Sequence, residues 1–148
     1  MKLKVRNMPA ISTFVLTNNL TELERLAEIV DEFGEAHCLA SHDVFQINLA
    51  LDEVVTNIIS YGYDDNKNHE ITVIMELTDD VLKITVIDDG KAFNPLDIPS
   101  PDFSAVAVED KDIGGLGIHF VRKVMNHVAY ERKDNENFLF MDKKVAVQ

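Results

Sequence analysis

The chain has 148 residues, 46% of them hydrophobic and 27% charged, which is the composition of an ordinary globular domain with room for a real core. A formal net charge of −12 argues against nucleic acid as the main partner, since phosphate backbones require clustered Lys and Arg. Cys38 is the lone cysteine, which excludes an intrachain disulfide and a cysteine-based metal cluster. The five histidines show no zinc-type spacing. An acidic body still admits a nucleotide, because backbone N–H groups and a metal ion can favour phosphate locally. The first residues, MKLKVRN, lack the apolar run of a signal peptide. No stretch approaches transmembrane length, so a cytoplasmic protein with no membrane partner is expected.

In chain order, Leu3–Val5 and Ile11–Leu16 are short β-type patches separated by Pro9, and one of them reads as an edge or N-terminal strand. Asn18 and Asn19 offer caps for a helix over Leu20–Phe33, whose apolar face is Leu23, Leu26, Ile29, Val30 and Phe33. Gly34 is placed to end or loosen that helix. After a connector, Ser41 or Asp43 can cap a second helix. Its central stretch, Ile47–Tyr63, carries apolar residues at helical spacing, and Gly62 serves as its stop. Tyr63–His69 is a polar loop. Ile71–Leu77 alternates and Val81–Ile87 is apolar nearly throughout, so two strands are expected around the turn Thr78–Asp80. Lys91–Ile113 is long and irregular and holds Pro95, Pro99 and Pro101; loops of that length in a compact domain are often functional lids. Leu116–Met125 is helical by pattern, and Val128–Arg132 with Phe138–Val145 form a last hairpin around Asp134–Asn137. Grouped strands with helices between them predict an α/β (α+β) two-layer sandwich, with helices on one face of a mixed, mostly antiparallel sheet.

The chemistry gathers in three places. Glu53 and Asn57 lie four residues apart on the second helix and therefore share a face. Glu53 suits a base, and Asn57 a weak oxygen ligand for Mg²⁺ that is otherwise held by phosphates and water. The same pair also reads as a solvated stripe. Asp88 ends an apolar strand, where a carboxylate can accept a hydrogen bond from an exocyclic amine such as adenine N6; Asp-Asp-Gly is equally a common turn. Gly114-Gly115-Leu116-Gly117 precedes a helix, where amides can face phosphates, or where glycines simply make a hinge.

Taken in order, E-x-x-x-N on a helix, D-x-G after a strand and G-G-x-G before a helix resemble the N, G1 and G2 boxes of the GHKL (Bergerat-fold) ATPases. That superfamily joins gyrase B, MutL and histidine-kinase catalytic domains. LDEVVTNIISYGY, IDDGKAFNP and GGLGIHFVRKVMNHVAYER look like the corresponding boxes of its small bacterial branch, the anti-sigma factor serine-protein kinases. The likeness runs from about Ser41 to the C-terminus. It implies a single ATPase domain over residues 1–148 that binds ATP and Mg²⁺ under a mobile lid at about Asn94–Ile113. Carried over by position, Glu53 resembles the catalytic acid, Asn57 the Mg²⁺ ligand, Asp88 the adenine-binding aspartate and Gly90 the glycine behind the ring. Gly115 and Gly117 resemble the phosphate-loop glycines, with Gly114 and Leu116 beside them. The fuller G1 pattern is D-x-G-x-G, and Ala92 stands where the second glycine belongs, so a differently shaped lid root is expected. Lys111 is the one Lys or Arg between Ala92 and Val121, and so the one lid cation able to meet a γ-phosphate; it also reads as part of a solvated charge run.

The resemblance implies transfer of the γ-phosphoryl group to a Ser or Thr of a STAS-domain antagonist, sequestration of a sigma factor, and a leaning toward a homodimer. Two other readings stay open. One is a nucleotide-gated binding module with little transfer. The other is a stand-alone histidine-kinase-type catalytic domain, for which these residues leave no room for a phosphoacceptor helical pair.

Overall fold

The computed structural model describes residues 8–97 and 113–148, and for residues 113–116 the backbone alone. Lys111 and most of the expected lid lie outside the described residues. Five strands, β1 (Ala10–Thr17), β2 (Glu70–Thr78), β3 (Val81–Asp88), β4 (His127–Lys133) and β5 (Glu136–Lys144), form one sheet in the order β1-β2-β3-β5-β4. All four strand pairings are antiparallel, so the parallel component of the expected mixed sheet is not found among the described residues. Helices α1 (Glu22–Ala36), α2 (Ser41–Tyr61) and α3 (Ile113–Val124) make the second layer. The two-layer α/β sandwich is as expected.

The core follows from two periods. In α2 the buried residues Ile47, Ala50, Leu51, Val54 and Val55 recur every three or four positions, the stripe of a helix lying on a sheet. In the strands burial alternates: Ile71, Val73, Met75 and Leu77 in β2, then Leu82, Ile84 and Val86 in β3, all point to the helices. Leu51, Val55, Ile71, Val73, Met75 and Leu82 are fully buried. Truncating one such aliphatic side chain to Ala costs roughly 2–5 kcal/mol.

Several local expectations are corrected. Asn18 does not cap α1; its side chain bonds the Lys67 carbonyl and the His69 amide, and so holds the start of β2 to the end of β1. Asn19 Oδ1 instead accepts from the Thr21 amide and hydroxyl, bracing the turn before the helix. Gly34 does not end α1. It is buried inside the helix against Val44 of α2, where an added Cβ would meet Val44 Cγ2 at 2.5 Å. The α2 N-cap is Ala40, with no side-chain cap, and Asp43 turns instead to the Ala146 amide. Gly62 does close α2, its amide bonding the Ile58 carbonyl at 2.8 Å. The last hairpin turns on Asp134 and Asn135, both left-handed with φ of 52° and 62°, so Asn137 lies inside β5 and not in the turn.

Candidate nucleotide-binding site

The alternation that buries Leu82, Ile84 and Val86 also carries Asp88, at the end of β3, to the inner face, where it is only 6% exposed. Two donors converge on one of its oxygens: the Gly90 amide at 2.9 Å and Asn137 Nδ2 at 3.0 Å, both to Oδ1. Among the described residues no hydrogen bond reaches Oδ2. Burial pushes the Asp88 carboxyl above the usual carboxylate range; the Asn137 and Gly90 hydrogen bonds oppose that shift, as does the Arg132 guanidinium more weakly.

Asn137 went unnoticed in the sequence. It stands directly across from Asp88 in the β3–β5 ladder. Its amide nitrogen donates to Asp88 and to the Lys91 carbonyl at 2.8 Å, while its oxygen accepts from the Tyr130 hydroxyl at 2.5 Å and the Phe93 amide at 3.4 Å. A buried carboxamide with this full complement is a rigid brace, because every polar atom already has its partner. Arg132 donates to the Gly90 carbonyl at 2.8 Å, and the Lys91 amide to the Gly62 carbonyl at 2.8 Å. The end of α2, the segment after β3 and the β4–β5 hairpin are thereby locked together. Gly90 has no room for a side chain: an added Cβ would meet the Gly62 carbonyl oxygen at 2.7 Å and Asp88 Oδ1 at 2.9 Å.

Above this floor opens a cavity of about 310 Å³. Its walls are mainly apolar, from Val54, Ile58, Tyr61, Gly62, Ala92, Phe93, Pro95, Ile118 and Leu139, and its polar groups are Asn57, Asp88, Lys91, Tyr130 and Asn137. An apolar slot with a carboxylate oxygen at its floor that takes no hydrogen bond from the described residues fits a flat heterocycle that carries an exocyclic amine. Ala92 lines the cavity, and its backbone is not left-handed, so this position does not demand glycine. The Arg122 guanidinium bonds the Leu96 carbonyl, tying the turn at Pro95–Asp97 to α3.

Glu53 and Asn57 stand one turn apart on α2, as their spacing requires. Asn57 lines the cavity and Glu53 does not. Glu53 is partly buried against Gly117 of α3, and a Cβ on Gly117 would overlap its carboxylate. Desolvation pushes the Glu53 carboxyl up, and the neighbouring Asp52 adds to the shift. Gly114, Gly115 and Leu116 lie in the first turn of α3, which begins at Ile113, earlier than the sequence suggested. The glycines are thus the opening of the helix and not a loop before it. Among the described residues no group of three or more His, Cys, Asp or Glu side chains could hold a metal. The donor set suits Mg²⁺ only as an ion arriving with phosphates, with Asn57 as its protein oxygen.

Beside the site, His69 bridges two carboxylates, Asp65 at 2.6 Å and Asp89 at 3.2 Å, and stacks on Tyr63 with ring centroids 4.1 Å apart. The Asp65 hydrogen bond raises the His69 pKa most, and Asp89 adds to it; His69 in turn lowers Asp65. A raised histidine pKa contributes stability that is complete below the unfolded value of about 6.5 and is lost as pH rises through the folded value. The clamp on the loop at residues 62–69 is therefore expected to loosen as pH rises above the ordinary histidine value and through the raised one. An NMR titration of the His69 ring, with amide exchange in that loop, checks this; a His69 midpoint at or below the unfolded value would contradict it.

The sequence pattern of the histidine kinase-like ATPase domain matches residues 16–143. The chain is 28% identical over 95 residues to the serine/threonine-protein kinase BtrW of Bordetella bronchiseptica, covering 64% of this chain and 66% of that protein. It is 28% identical over 130 residues to the serine-protein kinase RsbW of Bacillus mycoides, covering 82% of this chain and 72% of that protein. Among solved structures, the RsbU and RsbW domains of Rv1364c from Mycobacterium tuberculosis superpose with a TM-score of 0.67 at 14% identity, over 92% of this chain and 32% of that one. The blue-light activated histidine kinase EL346 of Erythrobacter litoralis gives 0.53 at 14% identity, over 84% of this chain and 41% of that one. These two share the fold. With a matched stretch that includes α2, the end of β3 and α3, the chain belongs to the histidine kinase-like ATPase domain family and groups there with protein serine/threonine kinases.

Proposed function

We propose that the chain, acting as one ATPase unit in the cytoplasm, binds Mg·ATP and phosphorylates a Ser or Thr of a STAS-domain antagonist. In its other state it sequesters a sigma factor. No described helix is long and apolar enough to cross a membrane. The observation that carries the reading is Asp88: a buried carboxylate whose Oδ1 takes two donors and whose Oδ2, among the described residues, takes none, at the floor of an apolar slot. Adenine N6 is the donor that such an acceptor suits, whereas guanine presents an oxygen at that ring position.

ATP supplies the phosphoryl group, and the accompanying Mg²⁺ offsets its charge. Asp88 and the slot fix the base, with Asn137 bracing Asp88. Asn57 presents an oxygen to the metal from the same helix that carries Glu53. Glu53 takes the proton of the incoming hydroxyl at a carboxylate oxygen, and its raised pKa makes it a better proton acceptor than a solvated glutamate. The names of the relatives BtrW and RsbW support the kinase class.

The test is single-turnover labelling of a STAS-domain protein from the same genome with γ-labelled ATP. Acid-stable label, absent from an acceptor whose target hydroxyl is removed, is expected. Acid-labile label would indicate histidine phosphorylation. ATP binding without transfer to any such acceptor would replace the kinase with a nucleotide-gated binding module.

A further inference from the structure

We infer that the groove between α1 and α2 is a docking site for a basic amphipathic helix of a partner protein. The two helices meet closely at one end, where Gly34 lies against Val44. Along their outer seam two hollows open, of about 200 and 510 Å³, and Phe45 and Asn48 belong to both. Leu23, Ala27 and Leu49 give the smaller hollow an apolar lining. Leu39 and Val44 do the same for the larger, with Asp31 and Glu35 beside them. Asn48 Nδ2 bonds Asp31 Oδ1 at 2.8 Å, a strut from helix to helix that holds the groove's shape.

Phe45 is the anomaly. It is 61% exposed, one turn from Leu49, itself 38% exposed, and neither completes the core. An exposed aromatic with an aliphatic neighbour at i+4 beside a preformed hollow is the usual form of a helix-accepting surface.

Charge selects the occupant. α1 carries six Asp and Glu against Arg25 alone, and α2 carries three against no Lys or Arg. Arg25 is itself engaged, by the Val15 carbonyl at 2.9 Å and by Glu22. Glu35, which lines the larger hollow, and Asp52, which lines the smaller, are both exposed. Such a rim repels an anionic lipid surface and a phosphate backbone. It also disfavours a second copy of this chain presenting the same seam, since the carboxylates would face each other. It attracts a helix that sets Leu-type anchors into the hollows and flanks them with Lys or Arg. The groove uses none of the cavity-lining residues, so the inference stands apart from the nucleotide reading.

The probe is a synthetic Leu/Lys peptide of about 18 residues, five helical turns, with leucines at i, i+3, i+4 and i+7. A peptide of equal composition with leucines in strict alternation is the control. Binding to the full chain is followed by fluorescence anisotropy and by amide shift changes. The helical pattern is expected to bind with shifts centred on α1 and α2. Phe45→Ala should weaken it by about tenfold or more, as an anchor contact does, and Glu35→Lys with Asp52→Lys should weaken it further. All these positions are exposed, and unchanged amide spectra away from the seam verify that each variant is folded. Equal binding of the alternating peptide, indifference to Phe45→Ala, or shifts centred elsewhere would each overturn the inference.

Discussion

Glu53→Ala is expected to leave Mg·ATP affinity within a few-fold and to lower phosphoryl transfer by about 10²–10⁴, the range for removing a positioned acid or base. The split follows from placement. Asn57 lines the cavity, while Glu53 lies outside its lining, one turn earlier on α2. A companion variant separates loss of the carboxylate from its misplacement. Gly117→Ala introduces a methyl where the Glu53 carboxylate now sits, and that side chain can swing aside without moving backbone. Ala also favours a helix over Gly by about 1 kcal/mol, so the thermal midpoint should hold or rise while transfer falls. Titrations with ATP and single-turnover assays on both variants decide the matter. Transfer by Glu53→Ala at the wild-type rate removes Glu53 from the base role.

The second large effect is expected at the floor of the slot. Asp88→Asn should weaken ATP binding by about ten- to a hundredfold, the equivalent of a charge-assisted hydrogen bond of roughly 1.5–3 kcal/mol. Asn137→Ala acts on the same carboxylate from across the ladder. It deletes one of the two donors to Oδ1 and leaves the burial, so the Asp88 pKa should climb further. An aspartate must be ionised to accept through both oxygens, and it is neutralised as pH falls through its pKa. The affinity of Asn137→Ala should therefore fall with acidification sooner than that of the wild type. Calorimetry with ATP and GTP between about pH 5 and 8 reads both effects. Equal affinity of the wild type for the two nucleotides would remove Asp88 from adenine recognition.

Much of this was legible because it rests on short-range periodicity. Ile47, Leu51, Val54 and Val55 mark α2 by their spacing, and Glu53 and Asn57 come to one face by the same rule. Alternation in β2 and the apolar run of β3 placed the central hairpin, and Asp88 with it. The residues that were missed depend on partners distant in the chain. Asn18 looked like a helix cap and instead spans 51 positions to His69. Gly34 looked like a terminator, because the Val44 side chain that requires a bare backbone there belongs to another helix. Asn137 has the composition of a polar turn, and only the pairing of β5 with β3 gives it a role. One signal was present: Asn137, Leu139, Met141 and Lys143 are two apart, and burial falls on all four. The mixed sheet is a generic expectation for helices alternating with strands; β2–β3 and β4–β5 adjoin as hairpins, which forces those two pairings antiparallel, and β1–β2 and β3–β5 are antiparallel across longer connections.

The two left-handed residues Asp134 and Asn135 act as a measuring device for a site they do not touch. They close the β4–β5 hairpin in the shortest common loop, and that closure fixes Arg132 opposite Asn137, the residue that the β3–β5 ladder in turn sets opposite Asp88. Strand faces alternate with a period of two, so sliding β5 by one residue would exchange its buried and exposed sets. Glu136 or Phe138 would then stand opposite Asp88. Two peptide units at the surface thus set, through sequence length alone, which β4 side chain stands beside Asn137, the brace of the buried Asp88 carboxylate. A single inserted residue there would be as consequential as a substitution at the floor of the slot.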